Sequence, residues 1–417
     1  MIEPLSSHLN QEKRSEGSCW TGNFLIGLTV SVLWLNIGAP KSWAESASNG
    51  WNDGADSSSG SPQLMIDNDL FPSARGAAMS RALETSADDM DAAMFNPAGI
   101  GGLHPPKANV PYLKRLFFPW ANLTANLNTL DLYKEFGVSG GSGDSALGRA
   151  IVDARAGKTQ YVRAGLTSGI VFGRMMVVPI NDHQVAAASQ GHDSGLVDAY
   201  YRGTSGFGVG GSVKSPDGRL ALGYFGYKVD RREIQGTFDY SAFIGIDEIN
   251  SAVKPYSRTL SGTGHNLGLL WRPPVSWNPS MGLSLRDVGN THFVDKNGGP
   301  SATSKQNLAF GLSANPALGK DLHLLTSLGA ERLNEPSIAG TKKTHLGLEL
   351  SYGGLGQYAR VSLRGGISSG GGSIGLGAHL GLLGFQAALQ NLDIGAGNEK
   401  VVEQRRTFNL YVNVAEF

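Results

Sequence analysis

From about Pro111 to the end of the chain, apolar side chains return at every second position, and that period restricts the region to strands. Leu346, Leu348 and Leu350 alternate with Gly347, Glu349 and Ser351. Met281, Leu283 and Leu285 alternate with Gly282, Ser284 and Arg286, and Leu308, Phe310 and Leu312 with Ala309, Gly311 and Ser313. Val361 and Leu363 alternate with Arg360, Ser362 and Arg364, and Ile374, Leu376, Ala378 and Leu380 with Gly375, Gly377 and His379. Turn signals separate the segments: Ser215-Pro216-Asp217-Gly218, Asn297-Gly298-Gly299, and the glycine cluster between Ser368 and Ser373. Each segment has one apolar face and one small or polar face, the pattern of strands with lipid outside and a polar lumen inside. On that reading Arg286, Glu349, Arg360 and Arg364 face the lumen.

A soluble sandwich would show the same alternation, so other features decide. Lys13 and Arg14 precede a nearly uncharged apolar run, Phe24 to Ala39, and Ser42-Trp43-Ala44 offers small residues at a cleavage site before Glu45. This reads as a signal peptide. The run is shorter than the roughly 20 apolar residues of a spanning helix, which disfavours the alternative of an uncleaved anchor. The strand-like segments are many and carry Arg and Glu on their second face. The chain also ends on an aromatic, Phe417, after Phe408, Leu410, Val412 and Val414. A last strand ending in Phe is the signal that the outer-membrane insertion machinery reads, although Phe417 is out of phase with that apolar face. These features place the mature chain in the bacterial outer membrane, with outer-membrane lipid and the insertion machinery as its partners.

Composition excludes several classes. Lys+Arg and Asp+Glu balance at 35 each, so no basic field draws nucleic acid. One cysteine, Cys19, rules out an intramolecular disulfide framework. The 58 glycines, about twice the usual share, favour tight turns and close-packed strands. Gly366-Ile367-Ser368-Ser369-Gly370 matches a nucleophile elbow, but an alternating strand follows where a helix is required. Gly206, Gly208 and Gly211 match a dinucleotide fingerprint, and here too the chain turns back without a helix. Gly143-Asp144-Ser145 resembles the start of a lipase block without a His and acid to serve it. The nine histidines lack metal-ligand spacing, and Asp88, Asp89 and Asp91 read as a solvated helix cap rather than a calcium loop. Enzymes do occur on outer-membrane barrels, but no residue pattern marks one here, and no cofactor is implied.

Residues 45–63 are rich in Ser, Gly, Asn and Asp and read as a flexible leader. Between Ser73 and Pro105 the pattern is compact and apolar but not strand-like, with short helical stretches at Met79, Leu83 and at Met90, Met94, ending at the Asn96-Pro97 turn. Asp144–Ala156 and Ser241–Val253 show helical spacing within the strand region. The proline at 97 biases Asn96 away from helix, so the chain reverses there before the first strand. Asp88 and Asp89 are too polar for lipid and belong in the lumen, where Arg360 and Arg364 are available to pair with them.

Ala74-Arg75-Gly76, then Ser86-Ala87-Asp88-Asp89, then Ala92-Ala93-Met94-Phe95-Asn96-Pro97-Ala98-Gly99 together resemble the amino-terminal signature of the long-chain fatty-acid transporter superfamily. That group includes FadL-type transporters, PorV/PorQ-type outer-membrane proteins and TraF-like relatives. Leu220–Tyr227 and Gly264–Asp287 resemble its mid-barrel hairpins. The chain departs at Ala78-Met79-Ser80-Arg81, where relatives commonly carry a double glycine. The resemblance implies an all-β fold: one antiparallel transmembrane β-barrel of about 14 strands, an amino-terminal hatch in the lumen, and short helices in the loops. Fourteen strands of about 10 residues need roughly 140 residues in the membrane, well within residues 111–417. The expected organisation is therefore 1–44 signal peptide, 45–63 leader, 64–110 hatch and 111–417 barrel, with Asp88, Asp89, Asn96 and Pro97 as gating residues. Two functions fit: passive passage of a hydrophobic, fatty-acid-like ligand through a plugged barrel, or a PorV-like docking role without transport. An apolar pocket beside the hatch and a break in strand pairing near it would favour the first; a uniformly polar, filled lumen would favour the second.

Overall fold

The computed structural model describes residues 70, 73–87, 90–102, 116–126, 128–129, 159–172, 174–190, 195–239, 251–299, 301–316, 318–319, 321–353, 359–394 and 400–413, all within one compact unit. The period-two region forms sixteen strands. They are β1 Leu116–Asn126, β2 Thr159–Phe172, β3 Met175–Ser189, β4 Leu196–Lys214, β5 Leu220–Asp239, β6 Ser257–Trp271, β7 Ser280–Arg286 and β8 Thr291–Asp295. They continue as β9 Ala302–Ser304, β10 Asn307–Ala314, β11 Leu322–Ala330, β12 Thr344–Tyr352, β13 Ala359–Ser368, β14 Gly371–Leu380, β15 Leu383–Asp393 and β16 Val402–Asn413.

Fourteen of these close a ring. Antiparallel pairing runs through β1 to β7, passes from β7 to β10, continues to β16 and returns to β1. The β5–β6 ladder, Leu220↔Trp271 to Ile234↔Ser257, and the β1–β16 ladder leave no open edge in the ring. Closure is what a strand protein needs in lipid, because hydrocarbon offers an unpaired N–H or C=O no partner. The other two strands, β8 and β9, form a hairpin on the upper half of β6, Leu260–Gly262. The strand ends that flank the longer connections, among them Arg286 and Ala302 and then Ala330 and Thr344, lie at one end of the ring, while 215–219 and 381–382 turn at the other. In the Ser215–Gly218 turn, Gly218 takes the left-handed φ of +70° and its N–H donates to Ser215 O at 2.9 Å.

Burial is inverted relative to a soluble domain. On β12, Leu346, Leu348 and Leu350 are exposed while His345 and Gly347 between them are buried. On β14, Ile374, Leu376 and Leu380 are exposed and Gly375, Gly377 and His379 are buried. Exposed Leu, Val, Phe and Tyr on every side of the ring form the lipid-facing belt, which a sandwich with its apolar faces turned inward would not have. The glycine run at 366–370 is the β13–β14 hairpin, with no helix after it, and Gly206, Gly208 and Gly211 all lie within β4. The sequences 1–63 and 144–156, the lipase-like Gly143-Asp144-Ser145 and Phe417 lie outside the described residues; of 241–253, only 251–253 are described, and they are helical.

A charge on this belt should be costly. Leu348→Arg is expected to destabilise the barrel by about 2 to 4 kcal/mol in bilayers, and the wild-type barrel should migrate differently on a denaturing gel before and after boiling. Identical migration of the two wild-type samples, or an unaffected Leu348→Arg barrel in denaturant titration, would contradict the assignment of the exposed face to lipid.

Candidate functional site

The residues before β1 fold against the inward faces of the strands. Ser73 caps helix α1, Ala74–Ala78, accepting the Gly76 N–H at 2.9 Å and donating to Asp91 Oδ2 at 2.6 Å. The helix ends where Arg81 N–H donates to Gly76 O and Ser80 N–H to Ala77 O, the paired bonds of a Schellman motif. Such an ending requires a left-handed residue, and Ser80 (φ +49°) and Arg81 (φ +71°) supply it without glycine, at about 1 kcal/mol each. This is the Ala78-Met79-Ser80-Arg81 stretch at which the resemblance implies a double glycine. Contacts outside the turn hold it: Ser80 Oγ lies 2.7 Å from Ser373 Oγ, and Arg81 is paired as described below. The first helix thus sits earlier than the Met79, Leu83 spacing predicts, because the Ser73 cap starts it and Ser80 stops it.

A second helix, α2, spans Ala92–Phe95 and ends at Asn96, whose backbone is extended (φ −156°, ψ 103°). The Asn96 Nδ2 donates to Glu84 O at 2.7 Å and to Leu269 O of β6 at 3.1 Å, while its Oδ1 accepts the Ala98 N–H. Pro97–Gly102 then form a 3-10 helix. The reversal expected at Asn96-Pro97 is present, and the Asn96 side chain ties it both to the segment and to the wall.

Inward glycines make the seat for this segment. On adjacent strands, Gly282 of β7, Gly311 of β10 and Gly329 of β11 are in register, and a Cβ on any of them would overlap Glu84. Gly347 and Gly366, in register on β12 and β13, lie against Met79 and Ser80, and Gly375 of β14 lies against Ala78. Across the ring, Gly268 of β6 abuts Asn96 and Gly223 of β5 abuts Pro97. The high glycine content of the strands is therefore partly a shelf that lets another backbone approach the wall.

Charge fixes the segment on one side. Arg75 Nε donates to Glu349 Oε2 at 2.9 Å, and Arg364 Nε of the next strand reaches the same oxygen at 2.8 Å. Arg81 Nε lies 3.0 Å from Glu331 Oε1, while Arg286 Nη2 lies 2.6 Å from Glu331 Oε2. Each wall carboxylate thus serves one arginine from the segment and one from the wall. Of the predicted lumen residues, Arg286, Glu349 and Arg364 meet the segment or its partners, while Arg360 stands exposed at the end of β13. Asp88 and Asp89 lie outside the described residues. The pairings seen among the described residues join arginines of the segment to acids of the wall, and the pairing expected for Asp88 and Asp89 is outside them. Arg75 and Arg81 were visible in the sequence beside the recognised motif, but Glu331, just beyond β11, belongs to no alternating run.

The opposite side is apolar. Met90, Ile100, Met176, Val178, Ile180 and Phe225 are buried in one cluster between the segment and the β3–β5 wall. Here the β2–β3 ladder is interrupted: it runs from Thr159↔Ala188 to Gly165↔Asp182 and resumes at Ile170↔Val177. Pro179, which has no N–H to donate, lies within the interruption. Beside it, a Cβ on Gly169 would fall 2.5 Å from Met90 Sδ. Towards the long-connection end, buried ion pairs link neighbouring strands along the inner wall, Arg163 of β2 with Asp182 of β3 at 2.8 Å and Glu233 of β5 with Arg202 of β4 and Arg258 of β6 at 2.9 and 2.7 Å.

No protein-family model matches the chain, and no curated protein matches it. Among solved structures it is similar to the CymD monoaromatic hydrocarbon channel, at 8% identity and a TM-score of 0.48, covering 83% of this chain and 98% of that one. It is also similar to the Ralstonia pickettii toluene transporter TbuX, at 12% identity, TM-score 0.43 and coverage of 81% and 97%. A Pseudomonas aeruginosa FadL homologue aligns at 10% identity, TM-score 0.32 and coverage of 84% and 98%. At these values the likenesses carry no argument about what the chain does.

Glu84 is the least reconciled group in the site. It is buried on the glycine shelf, and neither carboxylate oxygen has a hydrogen-bond partner among the described residues. Burial, reinforced by the nearby Glu331 charge and only partly offset by Arg286 and Arg81, pushes its pKa from 4.5 up to about 8. A raised carboxyl pKa means that the folded state holds a proton the unfolded state has lost. The Glu84 contribution to stability is therefore fully present below about pH 4.5 and is lost as pH rises towards 8. Wild-type barrel in detergent should melt at progressively lower temperature between pH 5 and pH 9, and Glu84→Gln should flatten that dependence. Parallel melting curves for the two proteins across this range would contradict the assignment.

Proposed function

We propose that the chain is an outer-membrane route for passive passage of hydrophobic small molecules, with the segment 73–102 as its hatch. The observation that carries this reading is the coincidence of two features on one side of the lumen: the interrupted β2–β3 pairing and the apolar cluster around Met90 and Ile100. A hydrophobic solute gains by leaving water for such a surface, roughly 25 cal/mol for each Å² it buries. An unpaired stretch of wall is the natural place for it to leave sideways into lipid. A docking protein has no need of either feature, and the lumen is not uniformly polar.

The polar side supports the same reading. Because Glu349 and Glu331 each keep a wall arginine, displacing Arg75 and Arg81 would leave neither carboxylate buried and unpaired. That removes the largest penalty usually attached to breaking a buried ion pair. The hatch is thus held by contacts whose loss the barrel can tolerate. Asn96, donating to Leu269 O of the wall, would act as the tether about which it shifts. The names of the similar structures, a hydrocarbon channel and a toluene transporter, suggest small apolar probes.

Uptake of radiolabelled toluene and palmitate by cells expressing the chain, against empty-vector cells, tests the proposal. Expression should raise uptake of at least one probe, and Met90→Asp, which puts a charge into the apolar side, should return it towards the control while the gel shift on boiling is retained. Uptake equal to the empty-vector control for both probes, with folded barrel present, would overturn it.

A further inference from the structure

The outward face of the β3–β6 wall carries a trench of about 470 Å³, a volume in the range of small-ligand sites. Register shows how it arises. Met175, Gly211 and Tyr224 lie side by side across β3, β4 and β5, and the row above them pairs Val209, Gly226 and His265. The row above that places Phe207, Lys228 and Thr263 together. Gly211 and Gly226 leave the wall without side chains along a diagonal, with Phe207 and Val209 on one bank and Tyr224 and His265 on the other. Tyr224 leans along the strand so that its hydroxyl lies 2.7 Å from His265 Nδ1, with the two rings stacked at 6.0 Å between centroids.

The trench crosses the edge of the lipid-facing belt. Below it the outward residues are Val213, Leu220 and Leu222, all exposed. Above it they are Asp230 and Lys296, paired at 2.8 Å. A tyrosine at such a boundary is the usual marker of the headgroup level. Lys228 stands exposed at the head of the trench, two positions along the same face from Asp230, whose carboxylate Lys296 already holds. The site therefore offers an apolar channel over Gly211, bordered by the Tyr224 ring that leans across Gly226, and, at its polar end, a lysine with a histidine and a threonine hydroxyl beside it.

We infer that this trench binds one phosphate-bearing membrane lipid, its acyl chain lying over Gly211 and Gly226 and its phosphate on Lys228 with Thr263 and His265. The charge decides the occupant. A neutral lipid would fill the channel equally well but leave Lys228 and Lys296 sharing the single carboxylate of Asp230, whereas a lipid phosphate at the headgroup level answers the excess positive charge and meets a compact set of donors. This site faces away from the lumen and stands independently of the transport reading.

Native mass spectrometry of the full barrel released from nanodiscs of equal phosphatidylglycerol and phosphatidylcholine reads the site directly. The wild type should retain one phosphatidylglycerol in clear preference to phosphatidylcholine. Lys228→Gln should abolish the preference, and Gly226→Leu, which fills the channel by displacing the exposed Tyr224 phenol that leans over this position, should abolish the retained lipid. The gel shift on boiling identifies folded variants, and Lys228→Gln, on an exposed surface, keeps the test decisive if Gly226→Leu does not fold. Equal retention of both lipids by the wild type, or undiminished phosphatidylglycerol retention in folded Lys228→Gln, would overturn the inference.

Discussion

Everything in this structure follows from the requirement that a strand in hydrocarbon leave no backbone group unpaired. The requirement forces the ring to close through the β1–β16 and β5–β6 ladders, and closure creates an interior that the lipid-facing leucines cannot fill. With apolar side chains turned outward, the alternate positions must carry whatever the interior needs. Here they carry glycines where another backbone lies against the wall, and arginine–carboxylate pairs that link neighbouring strands above it. The amino-terminal segment thus completes the fold rather than decorating it, because among the described residues it is what covers the glycine shelf of β7, β10 and β11.

The interior is divided into two sides with different consequences. On the β11–β14 side, polar contacts orient the segment through Arg75 and Arg81, and each shares its carboxylate with a wall arginine. On the β2–β5 side the contacts are apolar, non-directional and tolerant of sliding, and the adjoining ladder is incomplete. In the proposed function, a segment held by directional contacts on one side and by apolar packing on the other would shift towards or away from the incomplete ladder. Glu84 lies between the two sides, close to the arginines but with no hydrogen bond to them, which makes it a natural point of weakness in the seat.

Much of the fold was legible because the strand period is two: the outward Leu346, Leu348, Leu350 and the inward Arg286, Glu349 and Arg364 follow from alternation alone. The Asn96-Pro97 reversal was legible because proline fixes its own dihedral and that of its neighbour. The seat was not legible. A glycine in a strand pattern reads as a turn or a weak spot, and only register reveals that Gly282, Gly311 and Gly329 align beneath Glu84. The ion pairs were hidden for a related reason: Arg81 meets Glu331 across 250 positions of sequence, at a left-handed residue that no local rule would assign to arginine. For Arg360 alternation gives the side of the strand but not the height: it shares the face of Arg364 and pairs in register with buried His379, yet stands exposed near the strand end.

The central claim, that a hydrophobic solute passes where the segment meets the interrupted β2–β3 wall, is open to a direct reversible test. Met90 and Gly169 touch at that point, so cysteines introduced at both positions, with Cys19 replaced by serine, are placed to form a disulfide across it. Hydrocarbon uptake by cells expressing Met90→Cys/Gly169→Cys should be blocked when the disulfide is formed and restored when it is reduced. Uptake that is unchanged while mass analysis shows the disulfide closed would contradict the account.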